Sequence, residues 1–147
     1  MILLDTNIVI FYLKGQEPVV ARLQAASPRE VAVPNVVAYE IEYGTLKIGS
    51  SRRRSVAFGL LAGLTQVPFD HEAARESARI RIDLEARGEV IGPVDLLIAG
   101  TAVSLGAALV TSNTREFSRV KGLRLLDWTK GVAASLSLGP GTGVIAG

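Results

Sequence analysis

The chain opens with MILLDTN (residues 1–7), and this stretch decides the fold class. The apolar run at residues 2–4 predicts a short buried strand. Asp5 follows at the point where that strand ends. In open α/β sheets, ligands bind just outside the carboxyl ends of the strands. A carboxylate at this position, followed by the small polar residues Thr6 and Asn7, therefore predicts a cation site at the edge of a parallel sheet.

Composition limits the fold and the chemistry. The length of 147 residues suits one domain. Hydrophobic residues make up 48% of the chain and aromatic residues only 5%, which indicates an aliphatic core, as in a parallel sheet covered by helices. The net charge of +2 is too small to indicate a nucleic-acid partner. Without cysteine, disulfides and thiolate chemistry are excluded. No apolar run reaches about 18 residues, so we expect a cytoplasmic protein without a membrane segment.

Apolar runs alternate with helical patterns along the chain. We expect strands at residues 2–4, 31–33, 67–69, 107–110 and 123–126. We expect helices at residues 8–13, 18–26, 36–48 (capped by Asn35), 52–61, 72–87 and 93–106, and one helical turn at 114–117. This alternation predicts an α/β fold with a parallel sheet. The domain spans residues 1–130, and the uncharged tail at 131–147 is expected to be mobile or ordered only against a neighbour.

Asp95 is the second candidate ligand. It lies in the first turn of a helix that starts at Pro93, and the apolar residues 96–99 follow it. A carboxylate in this setting is costly unless a cation compensates it, and magnesium is usually held by one or two carboxylates with water. The helix dipole is expected to keep Asp95 ionised at neutral pH. Each acid also has a structural interpretation, since Asp5 can cap the next helix and Asp95 can complement the dipole.

Glu40 and Glu42 compete for a third position. Two residues apart on a helix, they point about 200° apart, so only one can join a common cluster. Periodicity leaves the choice open, and simple solvation is the alternative for either.

Polar residues also follow the predicted strand at 107–110. Asn113 is expected at the same sheet edge as Asp5, as a neutral ligand or a donor to phosphate, and Glu116 could supply the missing charge. The alternative is that Asn113 caps a short helix, because Asn113 and Glu116 have the spacing of a capping box.

Basic residues are the candidates for RNA contacts. Arg115, Arg119 and Lys121 lie close in sequence to Asn113, so we expect them first as contacts to the phosphate backbone. Arg52 opens an arginine triplet at residues 52–54, whose members cannot all face one groove of the protein. A solvated helix start is the alternative for this triplet.

Other catalytic schemes fit poorly. The only histidine, His71, opens a helix, where a capping or solvated role is expected rather than that of a general base, so no Ser-His pair makes a convincing triad. A ribonuclease mechanism with two histidines is excluded. A phosphatase that uses Asp5 as nucleophile would usually carry a second Asp two residues later, where Asn7 stands.

Four strings, in order, resemble a known family: LDTN (4–7), EIEYG (40–44), GPVDLLIA (92–99) and LVTSNTREF (109–117). Over residues 1–130 the chain resembles PIN-domain ribonucleases, specifically the VapC-like toxins of toxin–antitoxin pairs. The resemblance implies a three-layer sandwich, with a mostly parallel sheet of about four to five strands flanked by helices.

The resemblance also implies roles for individual residues. It selects Glu40 over Glu42. The residues implied to bind Mg²⁺, or Mn²⁺ in its place, are Asp5, Glu40 and Asp95. Asn113 falls on the family's fourth acidic position, where an amide would hold a second metal ion weakly or not at all. Auxiliary roles are expected for the polar neighbours of these residues: Thr6, Asn7, Thr111 and Glu116.

The function implied is a magnesium-dependent endoribonuclease toxin that cleaves RNA through a metal-activated water. The expected partners are a second copy of the chain, a VapB-like antitoxin and the RNA substrate. The antitoxin's tail would dock near Arg115, Arg119 and Lys121. The alternative is a catalytically weak binding module that acts in an antitoxin complex repressing its own operon.

Overall fold

The computed structural model describes residues 1–130 and 144–145. Its centre is a parallel sheet with the strand order β3-β2-β1-β4-β5-β6. The strands are β1 (Ile2–Leu4), β2 (Val31–Pro34), β3 (Thr65–Val67), β4 (Ala108–Val110), β5 (Arg124–Leu126) and the two-residue edge strand β6 (Val144–Ile145). All five strand pairs are parallel, as the alternating pattern predicts.

Seven helices of the described chain flank this sheet. They are α1 (Thr6–Leu13), α2 (Val19–Ala25), α3 (Asn35–Ile48), α4 (Ser51–Ala62), α5 (His71–Arg87), α6 (Pro93–Leu105) and α7 (Thr114–Phe117). The predicted α/β class is therefore confirmed. Within residues 1–130 and 144–145, none of the helices is both long and apolar enough to cross a membrane.

Strand β1 lies at the centre of the sheet, between β2 and β4. Leu3 and Leu4 are fully buried, so the opening of the chain forms the middle of the core. The ladder continues one residue beyond β1, because the Asp5 backbone N–H donates to the Val110 carbonyl at 2.9 Å. The ends of β1 and β4 consequently meet at one edge of the sheet, and Asp5 lies there.

Several predicted boundaries are wrong for local reasons. Strand β3 occupies Thr65–Val67 rather than 67–69, because Val67 pairs with Pro34, the last residue of β2. Asn35 is the first residue of α3 rather than its cap; Pro34 precedes the helix with extended backbone and makes no side-chain cap. Helix α1 already begins at Thr6, whose N–H donates to the Asp5 side chain.

The C-terminal tail adds a strand that the predicted count of four to five omits. Val144 and Ile145 pair with Leu125 and Leu126 at the outer side of β5. The expectation of a mobile tail otherwise falls on residues 131–143 and 146–147, which lie outside the described residues.

Helices α5 and α6 pack at close range through a glycine. A Cβ at Gly100 would lie 1.9 Å from Ser77 Oγ and 2.8 Å from the Ser77 backbone nitrogen. The Ser77 hydroxyl is itself buried and donates to the Ala73 carbonyl at 2.7 Å. Only a residue without a side chain therefore allows this spacing, which sets the position of α6 and of Asp95 in its first turn.

Gly100→Ala is expected to destabilise the chain by about 1–3 kcal/mol, because the added methyl group overpacks the α5–α6 contact. This outcome runs against the intrinsic helix preference, in which alanine is about 1 kcal/mol better than glycine. Urea unfolding followed by circular dichroism measures the change.

Gly59→Ala is the matched control, since Gly59 lies in α4 and a Cβ there would meet no atom within 4 Å. It should be neutral or stabilising by up to about 1 kcal/mol. Equal stability of the two variants would contradict close packing at Gly100.

Candidate active site

Asp5 is the buried anchor of the site, with only 3% of its surface exposed. One carboxylate oxygen accepts the Thr6 backbone N–H at 2.8 Å, and the other accepts the Thr111 hydroxyl at 2.7 Å. Burial raises the pKa of Asp5 above its ordinary value, although these two hydrogen bonds oppose the shift. Asp5 caps α1 and also faces the end of β4, so its structural and its candidate functional role coexist.

Glu40 joins the site through Thr6. The Thr6 hydroxyl donates to Glu40 Oε1 at 2.5 Å, which connects α3 to the start of α1. Glu42 lies elsewhere, with Oε1 3.5 Å from the guanidinium of Arg54. The structure therefore resolves the choice that helical periodicity leaves open.

Asp95 is half-buried in the first turn of α6, and its pKa is raised to about 6. Burial is the main cause, and the negative charge of three other carboxylates adds to it: Asp5, Glu116 and Glu40. Burial and repulsion between like charges thus act against the helix dipole, which favours the ionised form. Asp95 is nonetheless mostly ionised at pH 7.

Glu116 in α7 is the fourth carboxylate of this cluster. The Asn113 side-chain amide donates to Glu116 Oε2 at 3.1 Å, and the Asn113 backbone N–H donates to the Thr111 hydroxyl at 2.9 Å. Asn113 is the N-cap residue of α7, as the structural alternative has it, but its side chain makes no capping hydrogen bond, so the capping box is absent. Asn113 therefore orients Glu116, and the fourth charge comes from the glutamate. In the sequence, the position of Glu116 three residues after Asn113 is the feature that indicates this role.

The four carboxylates, Asp5, Glu40, Asp95 and Glu116, are called the acid cluster below. In the described part of the chain, no three His, Cys, Asp or Glu side chains stand close enough to hold a metal ion by themselves. Magnesium does not need three, because it keeps several waters and takes one or two carboxylates. The donors are all hard oxygen ligands, so the residues fit a hydrated Mg²⁺ or Mn²⁺ ion. Asn7 lies beside the cluster in the first turn of α1, with an exposed side chain.

Arg87 joins the end of α5 to the segments that flank α6 and α7. Its guanidinium contacts Asp83 at 2.6 Å and Glu89 at 2.5 Å, and donates to the Arg119 carbonyl at 2.6 Å. These contacts link the end of α5 and the segment before α6 to the segment after α7.

Two of the basic residues predicted to contact RNA are engaged within the chain. The Arg119 guanidinium donates to the Val90 carbonyl at 3.1 Å, and Lys121 lies 3.8 Å from Asp83. Arg115 is exposed on α7. Arg52 is exposed at the start of α4 and lines a groove that also contains Glu40.

Sequence comparisons agree with this architecture. The model of the PIN domain family matches residues 2–123. A tRNA(fMet)-specific endonuclease VapC from Shigella flexneri is 37% identical over 128 residues, covering 86% of this chain and 97% of the relative. Ribonuclease VapC2 from Rickettsia felis is 31% identical over 131 residues, covering 87% and 98%.

Solved structures agree as well. A chain of VapBC2 from Rickettsia felis, bound to a promoter DNA fragment, superposes with a TM-score of 0.79 at 31% identity, covering 87% of this chain and 99% of the other. DNA-bound VapBC from Salmonella typhimurium gives 0.80 at 34% identity, covering 86% and 97%. With its parallel sheet and its acid cluster at the ends of β1 and β4, the chain belongs to the PIN-domain family, in its VapC-like branch.

Proposed function

We propose that the chain is a magnesium-dependent endoribonuclease of a toxin–antitoxin module. The observation that carries this proposal is the placement of the acid cluster at the edge of the sheet, where the Thr111 hydroxyl donates to Asp5 and the Thr6 hydroxyl donates to Glu40. A cluster of this charge on a folded chain is costly without a cation. The relatives from Shigella flexneri and Rickettsia felis are named as an endonuclease and a ribonuclease, which supports RNA as the substrate.

The direct ligands in this proposal are Asp5 and Asp95, and Glu40 binds directly or through water. A bound Mg²⁺ or Mn²⁺ ion would activate a water molecule and neutralise charge on the phosphoryl oxygens. Hydrolysis would form a bond between the water oxygen and phosphorus while the phosphodiester P–O bond breaks, and a proton released by the water would end on the leaving oxygen.

The neighbouring polar residues act by orienting the acids. The Thr111 hydroxyl holds Asp5, and the Thr6 hydroxyl holds Glu40, so each carboxylate keeps one preferred direction. Asn113 holds Glu116, which adds negative charge toward the site without Asn113 itself being a ligand. Such orientation lowers the reorganisation needed when a metal ion and substrate bind.

The partners proposed are a VapB-like antitoxin and a second copy of the chain, in the cytoplasm. The antitoxin is supported by the Rickettsia felis and Salmonella typhimurium relatives, which were solved as VapBC. Both of those assemblies are bound to DNA, which favours a second role in a complex that represses its operon. Cleavage by the isolated chain separates this second candidate from the enzyme.

Asp5→Asn and Asp95→Asn should each reduce magnesium-dependent RNA cleavage by about 100-fold or more, because loss of an orienting neighbour alone costs about 10–100-fold. The assay follows cleavage of tRNA(fMet), the RNA named for the Shigella relative, and of a mixed RNA pool by the purified chain. Calorimetry measures Mn²⁺ binding as a second test, and both variants should bind Mn²⁺ more weakly than the wild type.

The matched control is Glu72→Gln, which removes one exposed carboxylate from the first turn of α5. It should cleave at the wild-type rate. Full cleavage by both aspartate variants would end the metal-nuclease proposal, and a wild-type chain without cleavage but with antitoxin binding would favour the repressor role.

Asp95→Asn should also stabilise the metal-free chain at pH 7.5, by about 1 kcal/mol after allowance for the exposure of a half-buried group. The pKa of Asp95 is raised from 3.8 to about 6 in the folded state, so proton binding favours folding. The wild type therefore loses stability as the pH rises through 6, whereas the variant does not.

Thermal unfolding in EDTA measures this difference, which should disappear near pH 4. Added Mn²⁺ should raise the Tm of the wild type more than that of Asp95→Asn. A variant that is less stable than the wild type at pH 7.5 in EDTA would contradict repulsion within the acid cluster.

A further inference from the structure

A groove leads away from Glu40 between α1, α3 and α4. Its volume is about 720 Å³, and it is called the α1–α3–α4 groove below. Aliphatic side chains form much of its lining, among them Ile10, Ile41 and Val56. Three basic residues also line it: Lys14, Arg52 and Arg53. All three of these basic residues are exposed.

These three cations differ from most others in the chain. Of the 16 Lys and Arg residues, nine contact an acidic side chain or donate to a backbone carbonyl: Arg22, Arg54, Arg75, Arg79, Arg81, Arg87, Arg119, Lys121 and Arg124. Within residues 1–130 and 144–145, Lys14, Arg52 and Arg53 make no ion pair. Their charge is available to a ligand.

The arginine triplet divides as its helical spacing requires. Arg54 turns away from its two neighbours, contacts Glu42 at 3.5 Å and lies 5.1 Å from the ring centre of Phe58. Arg52 and Arg53 line the groove together with Lys14, which directly follows α1. Positive charge is thereby concentrated beside one member of the acid cluster.

This juxtaposition matches the charge of a nucleic-acid strand. The acid cluster repels phosphate, so a polyanionic substrate needs positive charge next to the site to remain bound there. We infer that the α1–α3–α4 groove holds the RNA strand adjoining the cleavage site, with Lys14, Arg52 and Arg53 contacting its phosphates. The inference rests on the proposed ribonuclease function and locates the substrate of that same site.

The lining favours an unpaired strand. Ribose rings and the faces of unstacked bases are apolar enough to lie against Ile10, Ile41 and Val56, whereas a duplex keeps the faces of its bases inside the stack. Contacts of this kind add affinity without reading the sequence. RNA is thus assigned to the α3–α4 side of the site, where the three cations make no ion pair within the described residues, whereas the Arg119 guanidinium donates to the Val90 carbonyl and Lys121 Nζ lies 3.8 Å from Asp83.

The test measures binding of a fluorescent single-stranded RNA in EDTA by anisotropy, so that cleavage plays no part. The double variant Arg52→Gln/Arg53→Gln should bind at least about 10-fold more weakly than the wild type, and Lys14→Gln should weaken binding in the same direction. The slope of log K against log salt should fall by about 0.7 for each phosphate that the variant no longer neutralises.

The matched control is Arg75→Gln/Arg79→Gln, which removes the same charge from exposed positions on α5. It should bind RNA within about twofold of the wild type at the same salt concentration. Circular dichroism confirms that each variant is folded, and the single variant Lys14→Gln tests the groove independently of α4.

The outcomes separate this inference from the proposed function. The inference is overturned if the groove variants bind RNA as tightly as the control variant does. The inference is also overturned if these variants bind RNA as the wild type does but no longer retain a co-expressed antitoxin. That result would make the groove a binding site for the antitoxin. If RNA binding depends on the groove residues but the wild-type chain does not cleave RNA with Mg²⁺, the inference is supported and the proposed function is contradicted.

Discussion

The hydrogen bond from the Asp5 backbone to the Val110 carbonyl is the contact on which the site depends. It extends the parallel pairing of β1 and β4 by one residue and brings two distant stretches of the chain to one edge of the sheet. The Thr111 hydroxyl then reaches Asp5, and the Asn113 backbone reaches Thr111. Because parallel strands carry their ligand-facing loops at the same end, a one-residue change of register here would separate these groups.

Around this edge the fold collects negative charge, which opposes stability. The burial of Asp5 and the raised pKa of Asp95 are the visible costs. Rigid packing elsewhere offsets them: Gly100 allows α6 to pack tightly on α5, and Arg87 links the segments before α6 and after α7. Repelling acids that are held in place in this way are what the proposed cation site requires, in keeping with the strain that proteins retain at functional sites.

The charges of the molecule are divided in a way that suits the RNA substrate proposed above. Most basic residues of the described chain are paired with acids or carbonyls, whereas those beside Glu40 are not. The acid cluster and the cations of the α1–α3–α4 groove are neighbours without neutralising each other, so each can act on a different part of one ligand. The PIN-domain fold supplies the framework on which both are placed.

The sequence by itself determined where the candidate site lies along the chain: apolar runs at residues 2–4 and 107–110, each followed by polar oxygen donors, predict both the parallel sheet and the edge at which the candidate site lies. Tertiary structure decided which side chains meet there. Helical periodicity gives the angle between Glu40 and Glu42 but not which face α3 turns toward α1, and that orientation came from packing and the Thr6 contact. The role of Glu116 and the pKa of Asp95 likewise depend on distances across elements, because burial and Coulomb repulsion are properties of the assembled site.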